Sequence, residues 1–179
     1  AGFSPERLAW LERGGVFAIC HARGGGEGGE AWHAAATQQH KSRSADDLLA
    51  CADHLVQTGV TRRDRLGIMG GSNGGLLMGA VLTQHPELAA AVVCAVPVLD
   101  MLRSELTPNG AFNVTEFGSV RDPDLFRAIY AYSPYHNVHD GTAYPPILFT
   151  AGEFDMRVEA HHAKKMVARL QAATSSDQP

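Results

Sequence analysis

A chain of 179 residues with 45% apolar and 19% charged content is long enough for one domain with a sizeable core and too apolar to be disordered. A formal net charge of −4 excludes the basic footprint of a nucleic-acid binder or of a protein drawn to an anionic membrane. No apolar run approaches the ~20 residues of a transmembrane helix. The start, Ala1-Gly2-Phe3-Ser4, has neither an initiator Met nor a signal-peptide layout, so the chain reads as beginning inside a longer protein.

In chain order, Pro5 to Arg13 reads as a short helix closed by Gly14-Gly15. Val16-Phe17-Ala18-Ile19-Cys20 is a continuous apolar run of strand length, as in a parallel sheet covered on both faces. The glycine-rich stretch from His21 to Glu30 lacks a G-x-G-x-x-G that opens a helix with a placed acid after it, which excludes a dinucleotide fingerprint. Ser44 to Thr58 has a cap-like Ser44, acids Asp46 and Asp47 in the first turn, apolar residues at helical spacing and a closing Gly59. Leu66 to Met69 is a buried strand, followed by a glycine-rich turn and a helix to about Gln84. Ala89 to Val98 is a second apolar run, broken by Pro97. Residues 102–139 read as loops with one helix near Asp124–Tyr130. Pro146 to Thr150 is another strand, and Glu159 to Ala172 a final amphipathic helix. Strands alternating with helices predict an α/β fold, a mostly parallel sheet with helices on both faces. Cys20, Cys51 and Cys94 lie in apolar segments and read as buried thiols. That leans towards a reducing, cytoplasmic compartment, which no targeting segment fixes.

The turn after the first buried strand, Gly70-Gly71-Ser72-Asn73-Gly74, satisfies G-x-S-x-G in the strand–turn–helix context of an α/β-hydrolase nucleophile elbow. Ser72 is the candidate nucleophile. Glycines two before and two after it are expected because their side chains would collide. The helix that follows aims its N-terminal dipole at the site, with the Asn73 N–H as one oxyanion donor. A phosphate-binding turn is disfavoured because no Gly-Lys-Ser/Thr follows.

An orienting acid should follow a later strand. The loop Thr150 to Val158 offers Glu153 and Asp155, of which Asp155 is chosen. The base is missing: His161 and His162 fall in the last helix, where they read as solvated, and the chain stops before a further strand. His136 and His139 lack a third ligand at metal spacing, so neither metal nor organic cofactor is expected.

Several stretches together resemble the catalytic domain of the prolyl oligopeptidase family of serine peptidases. They are Arg23-Gly24-Gly25-Gly26-Glu27 with Trp32-His33, Asp46-Asp47, the elbow, Asp100-Met101-Leu102, Tyr132-Ser133-Pro134-Tyr135-His136-Asn137 and Tyr144-Pro145-Pro146. The resemblance covers nearly the whole chain. It implies an α/β-hydrolase fold over residues 1–179, incomplete at the C-terminus, whose full-length relatives carry a β-propeller gating access for short peptides. It implies Ser72 as nucleophile, Asp155 as acid, Arg157 on the substrate carbonyl and Val158 near the pocket. A surface ion pair with Glu153 or Glu159 is the other reading of Arg157. The family's histidine lies past the last residue, and its oxyanion tyrosine before the first. Its proline-stacking tryptophan is replaced by Asn113, with Phe112 beside it, and its pocket tyrosine by Phe117. Met156 replaces a common acid. An amide offers no flat apolar face to a pyrrolidine ring, so an esterase or acylaminoacyl-type hydrolase is the alternative, and a non-catalytic remnant a third.

Overall fold

The structure is a computed structural model that describes residues 3–177. Helix α1 (Pro5–Glu12) starts at Ser4, whose hydroxyl accepts from Arg7 N at 3.3 Å, with Pro5 pre-set for the first turn. Short helix α2 (Glu30–Ala34) follows the glycine-rich turns, and α3 (Arg43–Gln57) ends on Gly59 at φ +73°. Strand β1 (Gly67–Gly71) runs into helix α4 (Asn73–Gln84), then strand β2 (Ala91–Ala95). Helices α5 (Met101–Ser104), α6 (Val114–Phe117) and α7 (Pro123–Tyr132) fill the region read as loops with one helix. Helix α7 is closed at its start by Asp122, which accepts from Asp124 N and Leu125 N at 2.8 and 3.0 Å. Strand β3 (Ile147–Thr150) and helix α8 (His161–Ala173) complete the order.

The three strands are parallel and lie in the order β1-β2-β3. Ile68, Val92 and Ile147 share one register row, and Gly70, Cys94 and Phe149 another. That face packs on α3, α4 and α8 in one core that includes Ala52, Val81, Leu82, Met166 and Leu170. Each such Leu or Met contributes roughly 1.5–3 kcal/mol by leaving water. A second cluster of Leu76, Met101, Phe117, Ile129 and Tyr132 joins the start of α4 to α5, α6 and α7. The opposite face of the sheet carries Met69 and Leu148, which are 62% and 58% exposed within the described residues.

Three sequence readings are corrected. Val16–Cys20 forms no strand: among the described residues it has no ladder partner, and Val16 and Ile19 stand exposed. An apolar run becomes a strand only where a neighbour supplies the hydrogen bonds. Ser44 does not cap α3. It is buried inside the first turn and donates to Arg23 O at 2.7 Å. Cys20 and Cys51 form a disulfide that ties the Val16–Cys20 segment to α3, and only Cys94 is free among the described residues. The argument for a reducing compartment falls with it. No helix of the described residues is long and apolar enough to cross a membrane.

Candidate active site

The elbow is built by close backbone approach. Ser72 sits at φ 55°, ψ −117°, a region that L-residues avoid. Its own N–H donates to Ala95 O at 2.9 Å, and its carbonyl accepts from Leu76 N at 3.0 Å, so β2 and the first turn of α4 hold the strained residue from both sides. A Cβ on Gly70 would stand 2.8 Å from the Gly74 carbonyl carbon and nearer still to its oxygen. Gly74 itself would meet nothing within 4 Å, so the expected mutual collision is one-sided. The second obligatory glycine is Gly75, whose Cβ would lie 2.7 Å from Pro97 Cβ. Asn73 is the first helical residue, so its N–H has no intrahelical acceptor and points with the helix dipole towards the site. Val96, at the end of β2, has φ +40°, unusual for a β-branched residue and more so before proline.

Asp155 follows β3 and is part-buried. Its Oδ1 accepts from Arg157 N at 2.8 Å and Val158 N at 3.1 Å. The Val158 amide first, then that of Arg157, hold the carboxyl below its ordinary 3.8. One oxygen is thereby anchored and the other left to receive a further donor. Among the described residues Arg157 makes no ion pair with Glu153 or Glu159, and Glu159 lies 2.9 Å from His161 Nδ1 instead. Ser72 and Asp155 thus follow the carboxyl ends of parallel strands, where open α/β sheets bind ligands.

A cleft of about 260 Å³ gathers Ser72, Asn73, Phe112, Asn113, Phe117, Arg157 and Val158. Asp155 does not line it. Phe112 is 82% exposed at its rim, and Phe117 is buried in the second core cluster. Asn113 donates to Asn109 O at 3.3 Å, and Asn109 in turn donates to Met156 O, which ties the pocket loop to the acid loop.

The same cleft contains two residues that the sequence reading missed. Glu116, beside the expected pocket residues, pairs with buried Lys41, with His33 Nε2 at 3.2 Å and with Asn73 Nδ2 at 3.0 Å. His162 is not solvated but 3% exposed, and its Nδ1 accepts from Leu99 N at 3.3 Å and Asp100 N at 3.1 Å. Burial first, then the charge of His161, push it down to about 4. With Nδ1 accepting, the proton sits on Nε2, so His162 is a neutral acceptor for two amides and offers no lone pair to a serine. Ser72 Oγ has no hydrogen-bond partner among the described residues, and none of their histidines serves it as base.

A second serine–histidine–aspartate line exists and is structural. Ser133 Oγ lies 2.8 Å from His136 Nδ1, and His136 Nε2 3.8 Å from Asp100 Oδ1. Ser133 and Asp100 are both fully buried, so no acyl carbon can reach that hydroxyl. Among the described residues no group of three or more His, Cys, Asp or Glu could hold a metal ion.

A model of the prolyl oligopeptidase family of serine peptidases matches residues 1–178. The chain belongs to the prolyl oligopeptidase family. It is 39% identical over 178 residues to a prolyl endopeptidase of Elizabethkingia miricola, covering 99% of this chain and 25% of that one. It is 46% identical over 159 residues to an uncharacterised peptidase of Sinorhizobium fredii, covering 89% and 22%. A solved prolyl endopeptidase structure superposes with a TM-score of 0.96 at 44% identity, over 99% of this chain and 26% of that one. The α/β-hydrolase fold follows from this likeness, and the chain spans about a quarter of the length of the relatives it matches.

Proposed function

We propose that this chain forms part of the catalytic domain of a serine peptidase of prolyl oligopeptidase type, acting on short peptides. The observation that carries the reading is Ser72, held at φ 55° on the wall of the cleft that also gathers Asn73, Arg157 and Val158. In this mechanism Ser72 Oγ attacks the scissile carbonyl carbon while a histidine outside the chain takes its proton. Asp155, with one oxygen anchored by two amides, orients that histidine through the other. The carbonyl oxygen becomes an oxyanion, and the Asn73 N–H at the head of α4 is one of its donors. Arg157, which makes no ion pair among the described residues, presents its planar donors to a substrate carbonyl. Phe112, Asn113, Phe117 and Val158 form the pocket for the residue at the cleaved bond. Relatives four times as long support a further domain in the full-length protein, in keeping with a β-propeller that admits only short peptides.

A second reading, an esterase or acylaminoacyl-type hydrolase on the same machinery, is favoured by one feature of the pocket. Asn113 is turned back onto Asn109 O, and Phe112 stands almost wholly in solvent, so no ring lies flat where a proline would stack.

The test is intact-mass analysis after treatment with a fluorophosphonate, on this chain and on the full-length protein, with Ser72→Ala as control. A single adduct in the full-length protein, lost in Ser72→Ala, is expected. No adduct there favours a non-catalytic remnant and ends the peptidase reading. Equal cleavage rates after Ala and after Pro would remove proline specificity while leaving the hydrolase intact.

A further inference from the structure

Asn73 has two functional ends. Its backbone N–H faces the site, while its side-chain amide leaves in another direction and donates to Glu116 Oε1 at 3.0 Å. Glu116 is itself fixed. Lys41, only 7% exposed, pairs with the same Oε1, and His33 Nε2 lies 3.2 Å from Oε2. Lys41 Nζ also stands 5.3 Å above the Phe117 ring, so the cation is held by the residue next to the carboxylate as well. Each partner comes from a different segment: Lys41 precedes α3, His33 is on α2, Glu116 on α6 and Asn73 opens α4. An ion pair this sheltered is poorly screened and rigid, and removal of one member leaves a buried charge without a partner.

Such rigidity matters at this point because the residue it grips is next to a strained serine. Ser72 at φ 55° has no side-chain cap for α4, and the Ser72–Asn73 peptide that carries the donor is held at its carbonyl end by Leu76 N at 3.0 Å, which leaves the Asn73 end to be fixed by its own side chain. A preorganised oxyanion donor must be aimed before charge develops. We propose that Glu116 is a positioning residue: its carboxylate, anchored by Lys41, holds the Asn73 side chain and thereby aims the Asn73 N–H at the developing oxyanion. The inference rests on the serine-hydrolase reading above. It also links specificity to catalysis, because α6 carries both Glu116 and the pocket residue Phe117.

The test uses the full-length protein and an activated p-nitrophenyl ester, with kcat and KM measured separately. Glu116→Gln and Asn73→Ala each break the contact from one side, and Asn73→Ala keeps the backbone N–H. Each is expected to lower kcat by roughly 10- to 100-fold, less than the 10²–10³ for deleting such a donor, with KM unchanged. The double variant should be no slower than the slower single one, because both remove the same interaction. A kcat retained in Asn73→Ala overturns the proposal, as do additive losses or a loss confined to KM. Should Glu116→Gln fail to fold, Asn73→Ala alone decides, since it uncovers no buried charge. A wild-type protein with neither turnover nor fluorophosphonate label refutes the hydrolase reading, and this inference with it.

Discussion

The glycines of the elbow differ in what they are for, and Gly70→Ala against Gly74→Ala separates them. The new methyl at position 70 would lie 2.8 Å from the Gly74 carbonyl carbon, where ordinary contact begins near 3.4 Å, and the carbonyl oxygen is nearer still. The obstacle is backbone, so no rotamer change relieves it; the first turn of α4 must back away from β1 by more than half an ångström. Overpacking of this kind costs about 1–3 kcal/mol, and each kcal/mol lowers Tm by about 2–4 °C in a domain of this size. Because a 1 Å misplacement costs about 10²-fold in rate, fluorophosphonate labelling of Ser72 should slow by roughly 10-fold or more. Position 74 has no atom within 4 Å of its added Cβ, and its φ is not positive. Gly74→Ala should therefore keep its Tm or raise it, since helical glycine costs roughly 0.5–1 kcal/mol relative to alanine. Thermal melts and labelling rates on the two full-length variants give the answer. Equal destabilisation by both, or labelling of Gly70→Ala at the wild-type rate, would refute the one-sided contact.

Other consequences are equally open to measurement. His162 is held at about 4 against an ordinary 6.5, so the unfolded chain binds the extra proton between those values. The stability this contributes is complete above pH 6.5 and is lost as pH falls from 6.5 towards 4, by roughly 3 kcal/mol at most. Urea unfolding at pH 7 and 4.5 should show that loss, with a flatter dependence in His162→Gln; an identical slope in the variant would count against the buried neutral ring. The Cys20–Cys51 bridge spans 31 residues, for which loop-closure arithmetic gives about 3–4 kcal/mol. Thiol titration of this chain under denaturing, non-reducing conditions should find Cys94 alone, and reductant should lower Tm; three reactive thiols would sink the bridge. Finally, Met69 and Leu148 expose apolar area on one sheet face. The 179-residue chain by itself should self-associate, and a monodisperse monomer in light scattering would be the contrary result.

What could be read from the sequence was local. The elbow is five consecutive residues whose glycine spacing states its own backbone geometry, and Asp155 lies on the loop where the next strand must end. Strands β1, β2 and β3 were legible as apolar runs between turn residues, with boundaries off by one to three residues. Apart from Gly74, whose side of the elbow is open space, the failures involve partners distant in sequence. Val16–Cys20 has the composition of a strand, but pairing is a property of two segments. Ser44 has the look of a cap until Arg23 O, 21 residues earlier, claims its hydroxyl. His162 sits on a helix whose pattern does not announce that Leu99 and Asp100, more than 60 residues back, turn their amides onto it. Glu116 meets Lys41 across 75 residues and Asn73 across 43. For Glu116 a clue was available, since it stands one residue before the expected pocket residue Phe117.

The register of the sheet also orders events in time. Gly67 pairs with Ala91, 24 residues on, whereas Val92 pairs with Ile147, 55 residues on. The second closure costs about 0.7 kcal/mol more chain entropy and follows an intervening region of short helices that must settle first. The β1–α4–β2 unit therefore assembles ahead of β3, and its amides should be the first protected in pulsed hydrogen exchange. The turn around Ser72 is shaped early, bent by its own glycines and pinned to Ala95 O. The loop of Asp155 follows β3 and should form later, so a folding chain should pass through a stage in which the turn at Ser72 is shaped and the Asp155 carboxylate is not yet in place.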